Sequence, residues 1–175
     1  METETHVLET SYALAAYDRM LVCLWNGSVT AERVQGVVDH CRRHCVKYPD
    51  GAGFMLVIGP STGLPSTAVR SDVVRAFAEM QRYVHSAAIV ILGSGFNGSI
   101  ARSVISVMFL AMPGGMKKKV FSDVATALKW QVMHQTTGSP VAEPAYLAAT
   151  QTFIDAFRAA RKRGPISVSP QMAKD

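Results

Sequence analysis

The sequence predicts an α/β fold: a mostly parallel sheet of about five strands opened by an antiparallel hairpin, helices packed on it, and a C-terminal helix. Three observations lead there. Short apolar runs alternate with amphipathic stretches in the order ββαβαβαβα, with one more helix appended. Two of the runs, Phe54–Ile58 and Ala87–Leu92, are apolar without alternation, as expected of strands covered on both faces. Hydrophobic residues make up 49% of the 175 and charged residues 18%, enough to build a core for one domain.

Tyr12–Ala16 and Met20–Trp25 read as two strands around Tyr17-Asp18-Arg19, and Asn26-Gly27 ends the second. Thr30 is placed to cap a helix that runs to about Tyr48, with the apolar stripe Val34, Val37, Val38, Cys41 and Cys45. Pro49-Asp50-Gly51 breaks it. After the strand Phe54–Ile58 comes the loop Gly59–Thr67, with Thr67 as candidate cap, then a helix from about Ala68 to His85 on the stripe Val69, Val73, Phe77, Met80, Val84. Ala87–Leu92 is the next strand. Gly93–Gly98 turns into a strongly apolar helix stopped by Pro113-Gly114-Gly115. Lys119–Phe121 reads as a short strand, and Ser122 as the cap of a helix over Asp123–Gln135. Domain organisation follows: a flexible N-terminus at 1–10, the α/β domain at 11–135, a linker at 136–144, an amphipathic helix at 145–164 and a disordered tail at 165–175.

The formal charge of +5 is uneven: residues 1–144 carry a net +2 and residues 145–175 a net +3. The basic groups gather at Lys117–Lys119 and at Arg158, Arg161, Lys162 and Arg163, with no aromatic residues interleaved for base stacking. A nucleic-acid partner is therefore not expected. The N-terminus is polar and acidic, unlike a secretory signal, and the run Val104–Met112 is too short to span a bilayer. Three cysteines, Cys23, Cys41 and Cys45, suit free thiols in the cytoplasm.

Three constellations bear on function. Gly93-Ser94-Gly95-Phe96-Asn97-Gly98 is a literal G-x-G-x-x-G between a strand and a helix, the setting of a phosphate cradle. It follows the fourth strand rather than the first, and Lys117–Lys119 stands where an acidic ribose partner belongs. A crossover turn is the simpler reading. His40-Cys41-Arg42-Arg43-His44-Cys45 contains two i, i+4 pairs, yet the cysteines lie on the apolar stripe and the histidines flank it, so the four cannot surround one ion. No metal is expected. Finally, Ser61, Thr62, Ser66 and Thr67 cluster at the carboxyl end of a parallel strand, where open α/β sheets place ligands. No G-x-S-x-G elbow and no paired carboxylates point to catalysis, so no catalytic residue and no cofactor is assigned.

The plan resembles the SpoIIAA-like family, related to STAS domains of anti-sigma-factor antagonists and to a class of lipid-binding α/β domains. The resemblance rests on Val120-Phe121-Ser122-Asp123-Val124-Ala125-Thr126-Ala127-Leu128-Lys129-Trp130 and on Trp25-Asn26-Gly27-Ser28-Val29-Thr30, within residues 11–134. It implies a small cytoplasmic, bacterial, regulatory module without catalytic machinery. STAS antagonists carry a phosphorylatable serine after an Asp at the start of the helix following the third strand. The matching region here is Gly59-Pro60-Ser61-Thr62-Gly63, which lacks that Asp, and Ser61 and Thr62 are the nearest candidates.

Two functions are expected from these residues. The first is a non-enzymatic module working through a protein partner or a homodimer, with the helix Tyr146–Arg163 as one available surface. The alternative is a small-ligand binder, for a nucleotide or lipid, using the strand-end rim of Ser61, Thr62, Gly93, Ser94, Gly95 and Asn97.

Overall fold

The protein was analysed as a computed structural model, which describes residues 4–49, 51–63, 65–92, 103, 105–107, 114–134 and 143–163. Six strands form one sheet in sequence order: β1 (Glu4–Leu8), β2 (Tyr12–Tyr17), β3 (Met20–Trp25), β4 (Ala52–Ile58), β5 (Val84–Ile91) and β6 (Lys117–Phe121). The first three pair antiparallel; β3 to β6 pair parallel. The helices are α1 (Ala31–Cys45), α2 (Thr67–Met80), α3 (Val124–His134) and α4 (Glu143–Arg163). The predicted α/β class and antiparallel opening hairpin are present, with one strand more than expected.

Strand periodicity divides the molecule into three layers. Leu14, Leu21, Cys23, Phe54, Ala87 and Ile89 face one side and meet α1 and α2. Ala15, Val22, Met55, Ala88 and Val90 face the other and meet α3 and α4. Successive parallel strands that advance in one direction, joined by right-handed crossovers, must keep their connecting helices on a single face. That is why α1 and α2 share a layer, while α3 and α4, which follow the last strand, cover the opposite one. Every residue of β2 and β3 is buried, because both their faces are covered.

Several boundaries differ from the sequence reading. Residues 4–8, read as flexible, form β1 and pair with β2, so the hairpin is not the sheet edge. Its polar residues and half-exposed face leave no apolar period to detect. Helix α2 stops at Met80 and β5 starts at Val84 rather than Ala87. Val84 extends the helical stripe by four residues yet belongs to the strand. The register jumps there, from Ala52↔Val84 to Gly53↔Ser86, leaving His85 as the extra residue of a bulge. The inserted residue explains why Val84 and Ala87, three apart, face the same core. Gly51, at φ +97°, lies beneath it; a Cβ there would come within 2.8 Å of the His85 Cβ.

The helix caps also shift. Thr30 caps α1 as expected, accepting from the Arg33 N–H at 3.3 Å. Ser66, not Thr67, caps α2. Asp123, not Ser122, accepts the Thr126 N–H at 2.8 Å ahead of α3. α4 begins at Glu143, two residues before the expected helix and inside the expected linker. The expected tail, the rest of that linker and the turn Gly93–Gly98 lie outside the described residues; of the apolar helix after it, Ser103 and residues 105–107 are described and helical.

Candidate functional site

The carboxyl ends of the parallel strands form a rim whose centre is Asn26. Backbone bonds first fix the chain there. The Gly59 N–H donates to the Trp25 carbonyl at 2.6 Å, and the Leu92 N–H donates to the Ile58 carbonyl at 2.8 Å. The ends of β3, β4 and β5 are therefore level, and the glycine turn starts one residue beyond Leu92. Gly93, Ser94, Gly95 and Asn97 themselves lie outside the described residues.

Asn26 then fastens the loop after β4. Its Oδ1 accepts the Ser61 N–H at 3.1 Å, which assigns the amide orientation. Asn26 is 7% exposed, and its Nδ2 is buried with no hydrogen-bond partner. The loop must pass close to reach it. A Cβ on Gly59 would lie 2.1 Å from the Asn26 Oδ1 and 2.9 Å from its Cβ. Gly59 is thus fixed by close approach rather than by a positive φ.

The two hydroxyls singled out by sequence have different surroundings. Thr62 Oγ1 donates to the Trp25 carbonyl at 2.9 Å, so its proton is engaged in holding the loop. Ser61 is exposed, with its backbone held and its side chain at the surface. Sequence reasoning missed Asn26, whose amide holds the Ser61 backbone. The signal was Trp25-Asn26-Gly27, read as a strand terminator and as part of the family pattern but not as a hydrogen-bonding site; an amide at the end of an otherwise apolar strand needs a hydrogen-bond partner once buried.

The remaining candidates separate from this rim. Cys23, Cys41 and Cys45 are buried in the core beneath α1. Burial pushes the Cys45 thiol up to about 11, and raises Cys23 and Cys41 as well, so all three stay protonated and poorly nucleophilic. His40 Nδ1 donates to the Gly36 carbonyl of its own helix at 2.8 Å, while His44 Nε2 donates to the Asp18 carbonyl at 2.8 Å. The two side chains follow different partners. Among the described residues, no group of three His, Cys, Asp or Glu side chains is placed to hold a metal ion.

The C-terminal helix is not an available surface on its apolar side. Tyr146, Phe153, Ile154 and Phe157 are buried against the sheet, and Tyr146 Oη donates to the Asp18 carboxylate at 2.6 Å. Its exposed side carries Arg158, paired with Asp155 at 3.3 Å, then Arg161 and Lys162. The apolar face of this helix covers the sheet, so any surface it offers is the exposed side.

A substitution at Gly59 tests the rim's construction. In Gly59→Ala the new methyl group and the Asn26 amide compete for one place, and the Ser61 N–H loses its acceptor. The expected loss is about 1–3 kcal/mol by urea denaturation. Gly63→Ala, where no atom lies within 4 Å, should be close to neutral by comparison.

No protein-family model matches the chain, and no curated protein matches it. Among solved structures, the chain is similar to an uncharacterised protein of the DUF3478 family with a SpoIIAA-like fold, from Shewanella loihica PV-4. The TM-score is 0.50 at 16% identity, covering 69% of this chain and 94% of that one. At that identity the likeness concerns architecture, and it agrees with the sheet order and helix placement above. The chain has a SpoIIAA-like α/β fold.

Proposed function

We propose that this protein is a non-enzymatic regulatory module that engages a protein partner or a second copy of itself through the rim of Asn26, Gly59 and Ser61. The observation that carries the reading is the exposed Ser61 on a backbone locked by a buried amide. A hydroxyl presented on a rigid loop gives a partner a fixed surface, and adding a phosphate there would change that surface without moving the sheet. The buried, protonated thiols support a binding role over a nucleophilic one.

A second reading, a small-ligand binder at the same rim, is favoured by the Asn26 Nδ2, a buried donor with no partner. Such a group suits a ligand that presents a carbonyl, carboxylate or phosphate oxygen. Native mass spectrometry of the freshly purified protein separates the two. The module reading expects a homodimer or a co-purified protein that Ser61→Arg removes while the thermal melt is unchanged. The ligand reading expects a retained small mass that disappears in Asn26→Ala. An assembly that survives Ser61→Arg undiminished places the contact surface elsewhere.

A further inference from the structure

A second cluster stands apart from the rim, where β1 crosses the last turns of α1. The His6 ring of β1 lies between two histidines of α1, with ring centroids 5.3 Å from His40 and 6.4 Å from His44. His44 is 5% exposed, and its Nδ1 is buried with no hydrogen-bond partner; so is the Nε2 of His6. Each ring has one nitrogen occupied: His40 Nδ1 at the Gly36 carbonyl, His44 Nε2 at the Asp18 carbonyl, and His6 Nδ1 3.7 Å from Glu4 Oε1. Since carbonyls only accept, His40 and His44 are donors there, and the Nδ1 of His44 is left as a bare lone pair in a closed space.

The strand these rings hold is weakly attached. β1 has five residues, pairs on one side only, and breaks register between Thr5 and Val7, with His6 as the odd residue. Val7 is its contribution to the core, and Leu8 is 47% exposed. Its ion pair, Glu4 with Lys47 at 3.6 Å, joins two side chains each about 60% exposed and adds little. A short bulged edge with few apolar contacts belongs to the low end of local stability.

The charges around the rings are mostly positive. Against His6 stand Arg43 and Lys47 beyond the two histidines, and Glu4 from its own strand. Against His44 stand Lys47, His6 and Glu4, with the Tyr48 ring at 5.3 Å and the Asp18-Arg19 turn behind it. β2, which lies between β1 and the core, is YALAAY, with no charged side chain to offset a proton.

We propose that β1 is a pH-released edge strand: protonation of His6 and His44 detaches it from β2 and opens the outer edge of β2. Burial holds His6 and His44 below their ordinary value near 6.5; nearby cations add to the depression, while Glu4 opposes it at both rings and the hydrogen bond to the Asp18 carbonyl opposes it at His44. A histidine held neutral in the folded state contributes its full share above about pH 6.5. As pH falls below that value the detached strand takes up protons that the seated strand refuses, so attachment is lost through the window beneath 6.5. Opening β2 exposes a row of unpaired backbone groups, the kind of edge that another strand can add to.

Hydrogen exchange read by mass spectrometry tests this on the intact chain. Protection of the β1 amides, normalised for intrinsic exchange, should fall roughly several-fold between pH ~7.5 and ~5.5, the direction set by holding His6 and His44 neutral in the seated strand. Peptides from β3 and β4 should hold their protection over the same range. His6→Gln should shrink the β1 response, leaving only the share of His44. Arg43→Glu, an exposed change that places an acid beside the cluster, should shrink it with β1 still seated at neutral pH. A flat wild-type response, a fall shared equally by β3 and β4, or a full-sized fall in both variants would overturn the proposal.

Discussion

Gln131→Ala should destabilise the protein by roughly 3 kcal/mol, more than its position on an apolar helix suggests. Gln131 is fully buried on α3. Its Nε2 donates to the Phe54 carbonyl at 2.6 Å and to the Ser86 carbonyl at 3.2 Å, and its Oε1 accepts the Ser86 hydroxyl at 2.5 Å. These bonds lie beside the bulge at His85. An extra residue on β5 interrupts the β4–β5 ladder beside Gly53 and Ser86, and the amide of Gln131 supplies partners at that break. Removing it leaves polar atoms of two strands unsatisfied in the core, each worth about 1–3 kcal/mol, and opens a cavity besides. Gln131→Met fills most of the space without the bonds, so it should fall between wild type and alanine. For a chain of this length, 3 kcal/mol corresponds to a fall in Tm of roughly 6–12 °C. Equal melting of Met and wild type would mean the bonds contribute nothing net.

The three-layer fold was legible because its causes are local and repeated. Strand runs such as Phe54–Ile58 and helical stripes such as Val34–Val38–Cys41–Cys45 each declare their period, and right-handed crossovers do the rest. Errors arose where one residue served two patterns. Val84 fits the stripe of α2 by spacing and the face of β5 by geometry, and the turn at residues 81–83 decides between them. β1 was missed because an edge strand with polar, half-exposed residues carries no alternation. Its histidine is informative only when α1 stands opposite it, and sequence separates His6 from His44 by 38 positions.

The site was half legible for a related reason. Ser61 and Thr62 could be located by the rule that ligands gather at strand carboxyl ends, but their inequivalence depends on which hydroxyl meets the Trp25 carbonyl. Asn26 and Gln131 are the same kind of residue: amides buried where the backbone departs from a regular ladder, at a strand end in one case and a bulge in the other. Periodicity finds regular structure, so it is blind to the groups that repair irregular structure.

Tyr146→Ala should cost about 3–5 kcal/mol, and the size of that loss decides what α4 is. Tyr146 is fully buried, its ring centroid 5.9 Å from that of Tyr17. Its hydroxyl reaches the carboxylate of Asp18, the turn residue at φ 47° whose carbonyl receives His44 from the other layer. Four residues on, Thr150 bonds both the Tyr146 carbonyl and the Tyr17 hydroxyl. Burial raises the Tyr17 phenol well above its ordinary value, the Thr150 hydrogen bond opposes that rise, and Tyr146 adds to it. Tyr146 thus joins α4 to the hairpin that α1 also grips. Tyr146→Phe keeps the ring and should lose only about 1 kcal/mol. A detachable helix that served a partner would behave differently: Tyr146→Ala would then change assembly and leave the melt of the sheet in place. Urea denaturation alongside native mass spectrometry distinguishes the two, and a large loss of stability at unchanged mass is the expected result. It would make α4 part of the layer that covers the sheet opposite α1 and α2.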